Sequence, residues 1–534
     1  MSRRVGLLCA CVASALLPPA CAVSRSSREA PPPPPPLPPQ VLGLDGRPDA
    51  RPDAAFVDVI RQECAACHVV PAPADLPRGL WRQRLNEMAR FSLTGVGLND
   101  GRQSALARLE LLPFIAYFEA RAPETLEAPE PWPTPDGGSF SRFRRHLLSP
   151  PGAVPVPIVA DTRLLDLDGD GALAVVACDM GHGVVLLGTP QRDPGALREI
   201  AKVPNPSHAA MADLDRDGHL DLLVADAGFF MPEDHEKGAV VWLRSDGRGG
   251  FEKRVLADKL PRVRDVEAAD FDGDGDLDLV VAAFGLHTRG GIWLYENRTS
   301  DWKQPRFEAR LLDGRPGAIH ANPADLDGDG RPDFVAVIAQ QHETVVAFLN
   351  RGAAGFERRT LFTAPTPAWG STGIELVDLD RDSDLDVLMT NGATLDDASV
   401  KPYHGVRWLE NRGSFPFVSH ELAALPGAQR ARAADLDGDF DLDVAVAAFL
   451  PDPDRVRGAL TSLGWLEQKH PGVFERHALQ AGQLSHLSLD LGDVDGDGDV
   501  DIVAGNFVGF TFARTGTGFG AEGWVELWEN LGVP

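Results

Sequence analysis

The sequence predicts a mainly β fold, a seven-bladed β-propeller, preceded by a small all-α domain. Three observations predict it. A motif with aspartates at alternate positions recurs seven times, beginning at Asp166, Asp213, Asp270, Asp325, Asp378, Asp435 and Asp493. The separations of 47 to 58 residues suit one four-stranded blade per copy. Short apolar or alternating runs bounded by glycine and asparagine follow each copy, which is the strand signal. Residues 53–125 instead space their apolar side chains as helices do, with Leu106, Leu109, Leu112, Ile115 and Phe118 recurring along one face.

From the N-terminus, residues 1–22 read as a secretory signal: Arg3 and Arg4, an apolar run from Val5 to Leu17, and small residues at Ala20, Cys21 and Ala22. The run is too short and wrongly flanked for a membrane-spanning helix. The chain is therefore expected to be exported, to the periplasm or the cell surface. Cys21 is a candidate for lipid modification, and that anchor is the one membrane attachment expected. Residues 23–52, with a run of prolines from Pro31, are expected as a disordered tether.

The helical domain, residues 53–125, is expected to hold helices over Ala55–Cys64, Gly79–Phe91 and Ser104–Ala122. At the end of the first stands Cys64-Ala65-Ala66-Cys67-His68, the attachment signature of c-type haem. The spacing lets two thiols form thioethers to one haem while the next residue, an imidazole, ligates the iron. A redox dithiol or half a zinc site is the competing reading, but no second such pair follows and Cys178 is distant. One covalent haem c on Cys64 and Cys67, with His68 as proximal ligand, is the expectation. Export agrees with it, because such haem is attached outside the bacterial cytoplasm. The run from Trp81 through Met88 to Tyr117-Phe118 resembles small monohaem cytochromes c, in which a methionine seven residues after a tryptophan binds the iron. That resemblance implies Met88 as distal ligand. The alternative is that Trp81, Leu85 and Met88 form an ordinary helix stripe facing a core.

A proline-rich linker, residues 126–139, follows. From Pro123 to Ser139 it can extend roughly 50 Å, which would let the helical domain reach either face of the propeller.

The propeller is expected over residues 140–534. In each loop, carboxylates at positions 1, 3 and 5 converge, position 7 offers its carbonyl, and an acid at position 9 completes an oxygen cage for a hard cation, calcium. The expected ligands are Asp166, Asp168 and Asp170; Asp213, Asp215, Asp217 and Asp221; Asp270, Asp272, Asp274 and Asp278; Asp325, Asp327, Asp329 and Asp333; Asp378, Asp380, Asp382 and Asp386; Asp435, Asp437, Asp439 and Asp443; and Asp493, Asp495, Asp497 and Asp501. Up to seven Ca2+ ions are expected, the first site weakest because Ala174 stands at its ninth position. Position 6 wants glycine for the sharp turn, and Ser383 and Phe440 depart from it. The net charge of −27 excludes nucleic acid and an anionic membrane surface as partners. The seven windows carry 31 of the 78 acidic residues, so this acidity is largely metal-site charge.

These repeats resemble FG-GAP or VCBS repeats, the calcium-loop propeller blades of integrin α chains and many bacterial exported proteins. The resemblance implies that each loop joins the innermost strand, A, to the next, B. Through the fifth copy that places strand A at Gly373–Val377, B at Val387–Thr390, C at Val406–Glu410 and D near Phe417–Leu422. Strand C recurs at Trp242, Trp293, Trp465 and Trp528. The last copy lacks a strand D, and residues 143–148 match one, so the ring is expected to close by pairing them with the C-terminal strand.

The face opposite the calcium loops is expected to collect His182, His208, His235, His287, His320, His342, His404 and His486. His208, Asp265, His320 and Arg430 stand five residues before their loop aspartates and should approach the channel. They are the candidate catalytic or binding residues. Three functions stay open. The first is electron transfer, with the propeller binding a redox partner protein or extracellular ligand. In the second, a haem-linked dehydrogenase, the propeller oxidises a small-molecule electron donor. The third is calcium-dependent adhesion.

Overall fold

Each aspartate loop falls between two strands of one four-stranded antiparallel sheet, and the seven sheets are the blades of a propeller. A computed structural model describes residues 54–65, 68–93, 111–133, 142–152, 156–395, 397, 399–450, 460–482, 485–508 and 523–532. The signal, Cys21, the tether, Cys67, residues 94–110 and the linker from residue 134 onward lie outside them.

The innermost strands are Val159–Leu165, Pro206–Ala212, Val263–Ala269, Ala318–Ala324, Ser371–Val377, Ala428–Ala434 and His486–Gly492, in blades 1 to 7. Strand B follows each loop and is buried throughout, as in Asp278–Ala283, Asp333–Ile338 and Asp443–Ala448. It packs against neighbouring blades on both faces, so it reads as an unbroken apolar run rather than an alternation. Outer strands such as Phe307–Asp313 face solvent and carry charge. The core lies between blades: Phe334 stacks on Phe348 at 4.4 Å and meets Phe271 of the preceding blade edge-on.

Blade 5 runs Ser371–Val377, Asp386–Asn391, Gly405–Glu410 and Val418–Ala424, within about two residues of the ranges read from the sequence. In blade 7 the outermost strand is Phe143–Leu148, antiparallel to Val525–Asn530, with Phe143 opposite Asn530 and Leu148 opposite Val525. The two ends of the propeller therefore meet in one sheet, and no blade is left a strand short.

Upstream lie three helices, α1 (Ala54–Cys64), α2 (Arg78–Leu93) and α3 (Leu111–Arg121). Trp81 of α2 stacks on Phe118 of α3 at 4.1 Å, and Phe56 of α1 meets Phe114 edge-on. None of the described helices is long and apolar enough to cross a membrane.

All described residues fall in one compact unit, helices and propeller together. Tyr403, on the B–C loop of blade 5, donates its hydroxyl to the Asp75 carbonyl at 2.9 Å. Arg84 of α2 pairs with buried Asp397 of the same loop at 3.0 Å. Trp132 is buried in the apolar layer between blades 5 and 6, and its Nε1 donates to the Ala424 carbonyl. This part of the stretch expected as a free linker is thus packed into the propeller. The helices sit on the face opposite the aspartate loops.

Candidate functional site

The same irregularity recurs in all seven A–B strand pairs. A β-bulge falls just before the residue five positions ahead of the loop aspartate, at Asp161, His208, Asp265, His320, Gly373, Arg430 and Ser488. A bulge re-aims the side chain beside it, and here it aims a ring of polar residues at the channel mouth. Blade 5 contributes Gly373, where a Cβ would come within 2.8 Å of the Gln429 carbonyl. Two residues further along the strands lie Arg163, Glu267, Glu375, Arg432 and Asp490.

The ring is wired in sequence. His208 Nδ1 lies 3.0 Å from Asp161 and its Nε2 lies 3.0 Å from Asp265 and 3.2 Å from Glu267. Burial would lower the His208 pKa, but the charges of Asp265 and Asp161 outweigh it and push it up to about 10. The imidazolium holds the place that a cation would take among these carboxylates. For Asp265, burial would raise the pKa, yet the His208 charge and the His320 hydrogen bond hold it well below the usual range. His320 Nε2 accepts from Arg430 Nη1 at 3.1 Å, so its Nδ1 carries the proton, which faces Asp265 at 3.3 Å. Burial outweighs that carboxylate and brings His320 down to about 4, leaving a neutral ring at pH 7. The four residues singled out by their spacing are thus brought together. Asp161, at the same offset, completes the set and was missed.

Above the ring lies a cavity of about 370 Å³ between the propeller face and the helices. His68 and Met88 line it from the helical side; Asp161, His208, His320 and Arg430 line it from the propeller. Glu343, on the B–C turn of blade 4, also lines it, and burial pushes its carboxyl up to about 7 against hydrogen bonds from Ser371. That turn holds two non-glycine residues at left-handed φ, Gln340 at +58° and Glu343 at +40°. Such conformations are kept where the surroundings impose them, often at sites. Glu343 carries no motif in the sequence and could not have been found there.

The helical side fits a haem ligand set as far as it is described. Cys64 is buried at the end of α1. His68 Nδ1 is bonded to the Val69 carbonyl at 2.7 Å, the arrangement that fixes a tautomer and presents Nε2 to a metal. Burial lowers the His68 pKa and so favours the neutral ring, the ligating form. His342 lies close enough to feel the His68 charge, and its Nε2 is buried without a hydrogen-bond partner among the described residues. The other histidines expected on this face divide. His287 lines the cavity, His182 pairs with Asp179, and His404 and His486 are fully buried within their blades.

The aspartate loops fit a cation. Ligand atoms of Asp166, Asp168 and Asp170 lie within 4.8 Å of one another, as do those of Asp213, Asp215 and Asp221 and of Asp270, Asp272 and Asp278. Burial raises Asp443 to about 7, and Asp221, Asp278, Asp386 and Asp501 to about 6, so these carboxylates lack a balancing charge. The ninth-position aspartate has a second task that the motif did not disclose. Asp278 accepts the backbone N–H of Phe271 in its own loop and of Asn297 at the end of strand C, and Asp501 does the same with Val494 and Asn530. It ties the loop to the blade, a tie that Ala174 cannot make. Position 6 is left-handed in all seven loops, including Ser383 at φ +78° and Phe440 at φ +72°.

Residues 166–224, 229–281 and 325–389 match the FG-GAP-like repeat family. Among the curated proteins none matches this chain. Among solved structures, an Agrocybe aegerita lectin described as recognising non-reducing terminal N-acetylglucosamine is 16% identical, with a TM-score of 0.37 over 67% of this chain and 88% of that one. Crystal structures of BBS1N in complex with ARL6DN, soaked with lead or mercury, are 12% and 13% identical. Their TM-scores are 0.43 and 0.41, over 73% of this chain and 97% of theirs. The matched stretches and the seven sheets together make this chain a seven-bladed β-propeller built with FG-GAP-like repeats.

Proposed function

We propose that the chain is an exported electron-transfer protein carrying one haem c, with a calcium-stabilised propeller as binding scaffold for a redox partner or extracellular ligand. The observation that carries this is that His68 and Met88 line the same cavity. Cys64 and Cys67 would hold the haem covalently, His68 would be its proximal ligand and Met88 its distal one. When bound, the haem supplies one-electron exchange. Trp81, Leu76 and Pro71 wall the helical side of the cavity and exclude water. The loop aspartates, from Asp166 to Asp501, would hold Ca2+ on the far face, away from the electron-transfer site. The signal and Cys21 support export, with lipid anchoring as the membrane attachment.

The test is the haem itself. Protein secreted with the c-type maturation machinery should show the absorption band of thioether-linked haem in alkaline pyridine. Cys64→Ala and Cys67→Ala should lose covalent haem, and Met88→Ala should shift the reduction potential. A colourless protein would refute the reading.

A second reading, a haem-linked dehydrogenase, is favoured by His320. It is neutral, oriented by Asp265, and lines the same cavity as His68, so its Nε2 would serve as a general base once a substrate draws Arg430 away from it. Haem reduction by a small molecule, abolished in His320→Ala, would favour it; reduction only by a redox protein would favour the carrier. The repeats by themselves are compatible with calcium-dependent adhesion, which leaves His68 and the cavity without a role.

A further inference from the structure

The carboxylates of the channel already have partners. Asp161 and Asp265 face His208 and accept the backbone N–H groups of Ala209 and Ala321. Glu375 takes Arg432 and the Ala433 N–H, and Asp490 takes Arg163 and Arg432. Three arginines that line the cavity are left over. Arg262 is buried and, among the described residues, donates only to the carbonyls of Phe229 and Phe230, at 2.6 and 2.9 Å. Arg430 is buried and donates to the neutral ring of His320. Arg264, on the channel strand of blade 3, has neither a hydrogen bond nor an ion pair among the described residues.

None of these three guanidinium groups is bonded to a carboxylate among the described residues; Asp161 and Asp265 act on Arg264 and Arg430 only from a distance, and a buried charge without a direct partner is costly. The cost is visible in the direction of their pKa values: burial lowers all three, Arg262 to about 9 and Arg430 to about 10. Apolar walls from Phe230, Leu286 and Ile319 surround them. Planar, forked donors lining one cavity of about 370 Å³ match a small carboxylate. We propose that the channel mouth binds a carboxylate, held by Arg264 and Arg430 across the ring from blades 3 and 6, with Arg262 beside Arg264. That carboxylate can come from a free organic acid or from the haem's own propionates. Only the second source rests on the haem reading.

The experiment uses the purified full chain, with malonate and succinate as probes and their diamides as neutral controls. Arg264→Gln and Arg430→Gln are compared with Arg306→Gln, an exposed arginine. If the site takes a free acid, malonate or succinate raises the melting temperature by several degrees. The diamides do not, and calorimetric affinity falls at least tenfold in the two channel variants alone. If haem propionates fill it, the parent ignores both acids, but the two channel variants, unlike Arg306→Gln, shift the haem midpoint potential downward. Either result supports a carboxylate site. No response to either acid together with an unchanged potential, or with no haem present, overturns it. Absence of haem fails the electron-transfer reading alone, and the acid titration still decides the site. In the unliganded, haem-free protein Arg264→Gln, which removes no hydrogen bond or ion pair among the described residues, should melt no lower than the parent; a clear drop would mark Arg264 as an ordinary structural residue.

Discussion

His208 is the residue on which the channel turns. Both ring nitrogens face carboxylates of neighbouring blades, Asp161 on one side and Asp265 and Glu267 on the other, with His320 and Arg430 beyond. Its pKa, about 6.5 in the unfolded chain, stands at about 10 in the fold. The stability this contributes is fully present below pH 6.5 and is lost as pH rises through about 10. Thermal scans should therefore show the melting temperature falling between pH 7 and pH 10. His208→Gln should flatten that fall and lower the pH 7 value by several degrees. Parallel curves for parent and variant would refute the assignment. The offset of five residues that pointed to His208, Asp265, His320 and Arg430 also holds Asp161, so the whole ring was readable from the spacing. Arg262 and Glu343 were not, because they enter the cavity from segments outside the repeated motif, and only the packing of blades decides where those lead.

At the scale of the element, the aspartate loop is a turn with two left-handed residues, at positions 4 and 6. Its existence, length and place between strands A and B were legible because the carboxylate pattern and the glycines both serve that turn. The N–H contacts of the ninth aspartate were not, since they reach a strand about twenty residues away. Phe440 is 78% exposed and held at φ +72°, so its side chain gains little from packing while its backbone is strained. Phe440→Gly should stabilise the fold by about 0.5–1 kcal/mol, the left-handed cost relieved less the entropy of glycine. Calorimetric unfolding in calcium buffer checks it, and chelator should lower the melting temperature of parent and variant alike. A destabilised Phe440→Gly would show that the ring makes a contact that its exposure conceals.

The whole molecule depends on one pairing between distant segments, residues 143–148 with 525–530. Removing residues 523–534 should free the outer strand of blade 7 and expose an edge in the middle of the ring. The melting temperature should drop by about 10 °C, on the order of 8 kcal/mol for a domain of this size at about 2.1 cal/mol/K per residue. Hydrogen exchange should accelerate in blades 7 and 1 together. A truncated chain melting with the parent would refute ring closure as a source of stability. The closure was legible because the last repeat is a strand short and the missing strand's sequence stands before the first. The seating of the helices was not, because Tyr403, Asp397 and Trp132 belong to no repeat and their partners are remote in sequence. The closing pair also sets a timetable. At about 5–20 residues per second, the strand at Phe143 waits roughly 20–80 s for its partner at Asn530 to be synthesised. Through that interval the strand is an unpaired edge, and its central Arg144 and Arg145 give it the charge that discourages another chain from pairing first.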